Sequence, residues 1–262
     1  MPVDLSGPLA WTSAGGAELE MLEQLQPNIV KAHVRDHLSI LLLRVDDADE
    51  LRTFLREVAG LMKSARVHLQ EVAAHQEPPH PPGTPYVGVG LTASGYAKLG
   101  IHDDAIPADP SFRAGARDPA IRDRLADPPP QLWEPAYRED VHVVVLVGDA
   151  SAAGAAAARL AVAAKLPASA VVLGEERGAS LVNADGHGIE HFGYVDGRSQ
   201  PLFLVEDVEE ERLSTDGTSE WDPTTALDRV LVPDPGAPDP TVHCGSYFVL
   251  RKLEQNVQAF KQ

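Results

Sequence analysis

HLSILLLRVDDADELRTFLREVAGLMK, residues 37–63, changes its hydrophobic period midway. Residues 37–45 form a continuous apolar run that includes β-branched residues and is short enough for a buried strand. Asp46, Asp47 and Asp49 follow, supplying an N-cap and a negative first turn. From there Leu51, Phe54, Leu55, Val58 and Leu61 recur at helical spacing and make one apolar face. A buried strand running into an amphipathic helix opens a layered α+β fold.

Working outward, Val67 to Ala73 reads as a second strand, and EPPHPPGTP, 77–85, with five prolines, as a loop. YVGVGLT, 86–92, reads as a third strand and Ala93 to Leu99 as a short helix. VHVVVLVGD, 141–149, carries the strongest strand signal of the chain. Ser151 then caps an alanine-rich helix reaching about Leu166, and 169–174 and 178–183 read as two further strands. The order strand, helix, strand, strand thus occurs twice, over about 37–92 and 141–183. It predicts a ferredoxin-like α+β architecture, an antiparallel sheet with helices on one face. Around this frame, residues 1–20 read as a loose leader, with a helix from near Glu18 to Pro27. Residues 101–138 and 206–240 read as proline-rich, charged connections. SYFVLRK, 246–252, reads as a final strand, and Leu253 to Phe260 as the start of a helix.

The 22 basic and 39 acidic residues give a net charge of −17. That balance disfavours nucleic acid and anionic membrane surfaces as partners. No apolar run approaches the ~20 residues of a membrane span, and residues 1–30 lack the pattern of a secretory signal. The single cysteine, Cys244, excludes an internal disulfide framework and any multi-cysteine metal site. A cytoplasmic protein is the expectation.

Several side chains could carry chemistry. His187 and His191 are four apart but lie among Gly186, Gly188 and Gly193, so they do not share a helix face, and no metal ligand set is assigned. His33 and His37 read as a polar entry to a strand. His243 and Cys244 are adjacent, and adjacent strand residues point to opposite faces, a poor arrangement for a nucleophilic dyad. No G-x-S-x-G, G-x-G-x-x-G or G-x-x-x-x-G-K-[ST] motif occurs. HFGYVDGRSQP, 191–201, stands apart: Asp196 lies between Gly193 and Gly197, and Pro201 restricts Gln200. This is either a plain Asp-Gly turn or a carboxylate set where a flat ligand can approach the backbone.

Five stretches in order, spread over nearly the whole chain, carry a resemblance. QPNIVKAHVRDHLSILLLRV (26–45), VGLTASGYAKLG (89–100), ADPPPQLWEPAY (126–137), FGYVDGRSQP (192–201) and GSYFVLRKLEQNVQAF (245–260) resemble the dye-decolourising (DyP-type) haem peroxidases, with 192–201 matching the family's Gly-x-x-Asp-Gly signature. The resemblance implies a pair of ferredoxin-like α+β domains, here one over about 30–200 and the start of a second over about 200–262. It implies haem b as cofactor, and hydrogen peroxide with a small organic reductant, a dye or phenolic compound, as partners. Asp196 would be the distal acid–base group, moving a proton between the oxygens of bound peroxide. Gly193, Gly197, Arg198, Ser199 and Gln200 would run along the haem edge.

The resemblance also implies a proximal histidine and a distal arginine in the second half of such a protein, and neither has a matching position here. His243, Arg251 and Lys252 do not inherit those roles. The chain therefore reads as the N-terminal half of a longer bacterial member, acting as a homo-oligomer or together with a C-terminal half. Two other readings stand beside the peroxidase: a truncated ferredoxin-like module without haem or catalysis, and a protein that handles haem or iron.

Overall fold

The computed structural model describes residues 2–33, 35–195, 200–214 and 221–261. Its frame is a four-stranded antiparallel sheet in the order β2-β3-β1-β4, formed by β1 (His37–Val45), β2 (Tyr86–Leu91), β3 (Val143–Asp149) and β4 (Ala170–Ala179). This is the ferredoxin-like arrangement, in which β3 splits the parallel pair β1 and β2. Among the described residues it occurs once, not twice. The stretch expected to be a second copy supplies β3, its following helix and β4 to the same sheet as β1 and β2. The strand expected at 169–174 runs on as β4 to Ala179, with a register shift opposite Leu42 and Leu43, and of the strand expected at 178–183 only Leu181–Val182 form a separate short strand, outside this sheet.

β1 pairs on both sides and is apolar on both faces. Leu41, Leu43 and Val45 meet Val143, Val145 and Val147 of β3 on one face. That face is covered by α2 (Ala48–Ala59), through Leu51, Phe54 and Val58, and by α8 (Ala152–Ala163), through Val162. Asp47 caps α2 by accepting the N–H groups of Asp49 and Glu50, and Ser151 caps α8 through Gly154 N–H. On the opposite face, Ile40, Leu42, Tyr86 and Leu146 form a thinner cluster.

Between α2 and β2 lies a second helix, α3 (Ala65–Gln76), where a strand was expected over Val67–Ala73. Val67 and Val72 suggest a strand, but Ser64 accepts the Val67 N–H as an N-cap, and Ala65, His68 and Leu69 are buried at helical spacing. Exposed Val67 costs the helix little. Buried Ala65 and Leu69 join Met21 and Leu22 of α1 (Ala17–Gln24) in a second core.

That second core corrects two further expectations. The leader is not loose: Leu9 is buried, its N–H donates to the Phe203 carbonyl, and Thr12 is held by Glu206. The acidic stretch 206–240 is not merely a connection. It holds α9 (Val205–Leu213) and buries Leu227 and Leu231 beside Leu9. Residues 101–138 are punctuated by three short helices, α5 (Pro110–Ala114), α6 (Pro119–Leu125) and α7 (Pro135–Arg138), each with proline in its first turn. The connection from β2 to β3 also includes α4 (Ala93–Lys98), whose Gly95 admits the His142 carbonyl where a Cβ would come to 2.2 Å.

The edges of the sheet are treated differently. On β2, the Gln26 side chain both donates to the Val89 carbonyl, at 2.8 Å, and accepts the Val89 N–H, at 2.9 Å. On β4, Glu175 accepts both Arg159 and Arg177 and the Ser39 hydroxyl, joining α8, β4 and β1. The Arg159 hydrogen bonds lead a set of contacts that holds the Glu175 carboxyl down at about 2. A carboxyl depressed on folding stabilises the fold above its ordinary value of 4.5, and that contribution fades as pH falls towards about 2. We expect Glu175→Gln to lower unfolding stability at neutral pH by about 1–3 kcal/mol. In urea titrations its deficit relative to the native chain should shrink steadily below about pH 4.5.

Candidate functional site

The segment around Asp196 emerges from the end of β4. Two short strands, β5 (Leu181–Val182) and β6 (Gly188–Ile189), form a hairpin closed by Asn183, whose side chain accepts the N–H groups of Asp185 and His187. A second turn follows at once. Gly193 N–H donates to the Glu190 carbonyl, Glu190 N–H to the Tyr194 carbonyl, and Val195 bridges back to Ile189. Gly193 takes φ +96°, where a side chain would be strained, and no atom lies within 4 Å of a Cβ placed there. Its role in the chain is therefore the turn. Gln200 is exposed at the far side, just before Leu202 enters its contact with Thr224. Asp196, Gly197, Arg198 and Ser199 lie outside the described residues.

The surroundings of this segment are apolar and open. Phe192, Tyr194 and Val195 are exposed, as are Leu181 and Val182 on the hairpin. Tyr194 meets Phe260 edge to face at 5.4 Å between ring centres. Phe260 closes the short helix α10 (Val257–Phe260) and is itself exposed. This contact joins two stretches 66 positions apart in sequence (260 − 194), and nothing in spacing or composition announces it.

The expected strand at 246–252 is not formed. A two-residue strand, β8 (Cys244–Gly245), pairs with β7 (Val232–Pro233), and from 246 to 254 the described backbone has no backbone hydrogen bond. A strand needs a neighbour, and among the described residues none lies alongside. Side chains hold the segment instead. Leu250 packs on the thinner sheet face, Tyr247 meets Phe112 at 5.4 Å, and Arg251 binds Asp127. Lys252 bridges Glu134 and Glu176, whose hydrogen bonds push its ammonium above the ordinary range. Glu176 also accepts the Tyr137 hydroxyl at 3.0 Å, and burial together with that bond raises the phenol to about 12. Phe248, Val249 and Leu253 are left exposed.

Other candidates are engaged elsewhere. His243 Nδ1 contacts the Asp239 carbonyl at 2.8 Å, and burial raises the Cys244 thiol, which opposes thiolate chemistry. Among the described residues no three His, Cys, Asp or Glu side chains converge as a metal site. A cleft of about 620 Å³ lies away from the Asp196 segment, between Arg44, Ser94, Lys98 and His142. Arg44 there is paired with Asp46 and Glu139, and Lys98 donates to the Asp46 carbonyl. No helix among the described residues is long and apolar enough to cross a membrane.

The family model of the DyP dimeric alpha+beta barrel domain matches residues 24–180. The multifunctional dye peroxidase DyP2 of Amycolatopsis sp. (strain ATCC 39116 / 75iv2) is 60% identical over 262 residues, all of this chain and 55% of that protein. Its solved structure superposes with a TM-score of 0.94 over 99% of this chain. A DyP-type peroxidase of Anabaena sp. superposes at 0.91 with 33% identity, over 98% of this chain and 56% of its own. An ancestral D-type dye-decolourising peroxidase, at 26% identity, covers 69% of this chain with a TM-score of 0.61. The chain spans about half the length of the relatives it matches most fully.

Apolar side chains left open to water associate with one another. The 262-residue chain alone should therefore self-associate with rising concentration, as read by light scattering. Phe248→Asp with Val249→Asp should reduce that association while leaving the sheet's circular dichroism in place. A native chain that stays monomeric across the concentration series would contradict this assignment.

Proposed function

Because the chain belongs to the dye-decolourising peroxidase family, we propose that it supplies the Asp196 half of a haem peroxidase that oxidises dyes or phenolic compounds with hydrogen peroxide. The observation that carries this reading is the 60% identity to a dye peroxidase over the full 262 residues. The reading divides the chain into a ferredoxin-like domain over about 30–200 and the beginning of a second over about 200–262. The unpaired 246–254 segment and the thinly covered sheet face fit that division, because both lack the neighbour a second sheet would provide.

The described residues fit one side of a haem. Phe192, Tyr194, Val195 and Phe260 offer an exposed apolar surface, and Gly193 keeps it free of a further side chain. No axial ligand is assigned to them: the resemblance gives His243, whose Nδ1 contacts the Asp239 carbonyl, no ligand position. When bound, haem b would supply the redox centre at which peroxide is reduced. The chain's own contribution is acid–base and steric. Asp196 would accept a proton at a carboxylate oxygen from incoming peroxide and return it to the departing oxygen, which must leave as water. Gly197, Arg198, Ser199 and Gln200 would follow the haem edge. Phe192 and Val195 would keep bulk water from that proton.

Titration with haemin should give a Soret band if this half binds haem by itself, and no band if it is a haem-free module. Adding the remaining segment of the Amycolatopsis relative should then yield peroxide-dependent oxidation of a phenol. Haem binding without that turnover would favour haem handling. In the reconstituted enzyme Asp196→Asn should lower the peroxide reaction by about 10²–10⁴-fold with the Soret band retained. An unchanged rate would remove Asp196 from the proton transfer.

A further inference from the structure

Away from the Asp196 segment, a half-buried group of charged side chains fastens the proline loop 77–85, which leads from α3 into β2. Glu71 of α3 is its centre. Its Oε2 pairs with Lys63 at 2.6 Å and with Arg35 at 3.3 Å. Its Oε1 accepts the Thr84 hydroxyl at 2.6 Å. Arg35 and Lys63 both donate to the Thr84 carbonyl at 3.0 Å. The side chains of Arg35 and Lys63 are each only 9% exposed. The backbone of Gly83 lies so close that a Cβ would come to 2.2 Å from an Arg35 nitrogen. The return limb of the loop, Gly83–Thr84, thus rests on a network with two cations and one carboxylate.

His33 sets the position of Arg35. Its Nδ1 accepts the Arg35 N–H at 3.0 Å, its carbonyl accepts Arg35 Nη1 at 2.9 Å, and its ring stacks on Tyr86 of β2 at 4.5 Å. An imidazole that accepts at Nδ1 carries its proton on Nε2, so the next proton must go to Nδ1. There it would break the bond from Arg35 and place a cation beside the guanidinium. His68 of α3 stands behind, its Nε2 donating to the Ala32 carbonyl at 3.1 Å. Tyr86 stacks on the ring, the start of β1 at His37 approaches the same Gly148 of β3 as His33 does, and Lys63, Glu71 and Asp149 join the group through Arg35 and Lys63. Glu71 is already shared by both cations.

We propose that His33, Arg35, Lys63, His68, Glu71 and Thr84 form an acid-released clasp that holds the proline loop against the start of β2. Burial first, and then the charges of Arg35 and His68, hold His33 at about 4 rather than its ordinary 6.5. Burial likewise lowers His68. A histidine depressed in the closed state binds its proton more readily in the open one. The clasp is therefore complete above about pH 6.5 and weakens as pH falls towards about 4. Glu71 adds to this at the acid end. Burial pushes its carboxyl up, but the Lys63 and Thr84 hydrogen bonds bring it below its ordinary 4.5, so its protonation also favours release.

Amide hydrogen exchange on the 262-residue chain, corrected for the intrinsic pH dependence of exchange, tests this. The opening constant read at the amides that begin β2, Tyr86 and Val87, should rise by up to about tenfold per pH unit below about pH 6.5. Over the same range the amides of β1 and β3 should stay protected, separating loop release from global unfolding. Asparagine presents an acceptor near the place of Nδ1 and does not titrate, so His33→Asn should flatten the profile. Glu71→Gln should raise opening at neutral pH, the difference from the native chain shrinking below about pH 4.5 as Glu71 itself takes a proton. A flat profile in the native chain, or one unchanged in His33→Asn, overturns the proposal. Should His33→Asn not fold, the imidazole titration of His33 by NMR in the native chain decides it. An apparent pKa at the ordinary value refutes the clasp and one well below it supports it.

Discussion

β1 is a central strand whose two faces are both apolar, and each face must be removed from water separately. Burial of side chains the size of Leu or Ile contributes about 1.5–3 kcal/mol each, so neither face can be left open cheaply. The helices α2 and α8 cover the face of Leu41, Leu43 and Val45. Among the described residues, the face of Ile40 and Leu42 is met by Ala136 and Tyr137 of α7 and by Leu250, beside Leu173 of β4. Gly174 makes part of that cover possible, because a Cβ there would come to 2.6 Å from Ala136 of α7.

This imbalance organises the second half of the chain. The segment after β8 is drawn across the thinner face by Leu250 and tied at Asp127, Glu134 and Glu176 by Arg251 and Lys252. It brings Phe260 to Tyr194, in the turn that precedes Asp196 in the chain. The proposed haem-facing surface is thus assembled from the hairpin that leaves β4 and from the stretch that covers the sheet. The N-terminal strap and the 202–231 region form a separate core around Leu9, Leu204 and Leu227, on which α1 and α3 rest.

Elements governed by local periodicity were legible in the sequence. β1, α2, β3 and α8 were expected close to their observed bounds, because an apolar run or an amphipathic face with its capping residue is encoded within a few residues. α3 was misread because Val67 and Val72 outweighed the Ser64 cap and the Ala65, His68, Leu69 face. Residues 246–252 have the composition of a strand, but strand formation depends on a neighbour that local sequence does not describe. At the site, Gly193 takes the left-handed turn conformation that glycine favours, while the Asp-Gly pair itself lies outside the described residues. Tyr194 against Phe260, and Lys252 between two glutamates, are products of tertiary packing and had no local signal. The clasp was equally hidden, since Arg35, Lys63 and Glu71 look like ordinary surface charges until α3 is recognised as a helix.

The side chain of Gln26 occupies, on the outer edge of β2, the place a neighbouring backbone would take, both donating to and accepting from Val89. An incoming strand would have to displace that amide and would gain little in exchange, so this margin of the sheet resists templating another chain. β4 has no such plug along its outer margin among the described residues. Growth of the sheet is thereby given a direction: any added strand is steered to the side from which the β5–β6 hairpin departs, and fibrillar stacking through β2 is disfavoured by one glutamine.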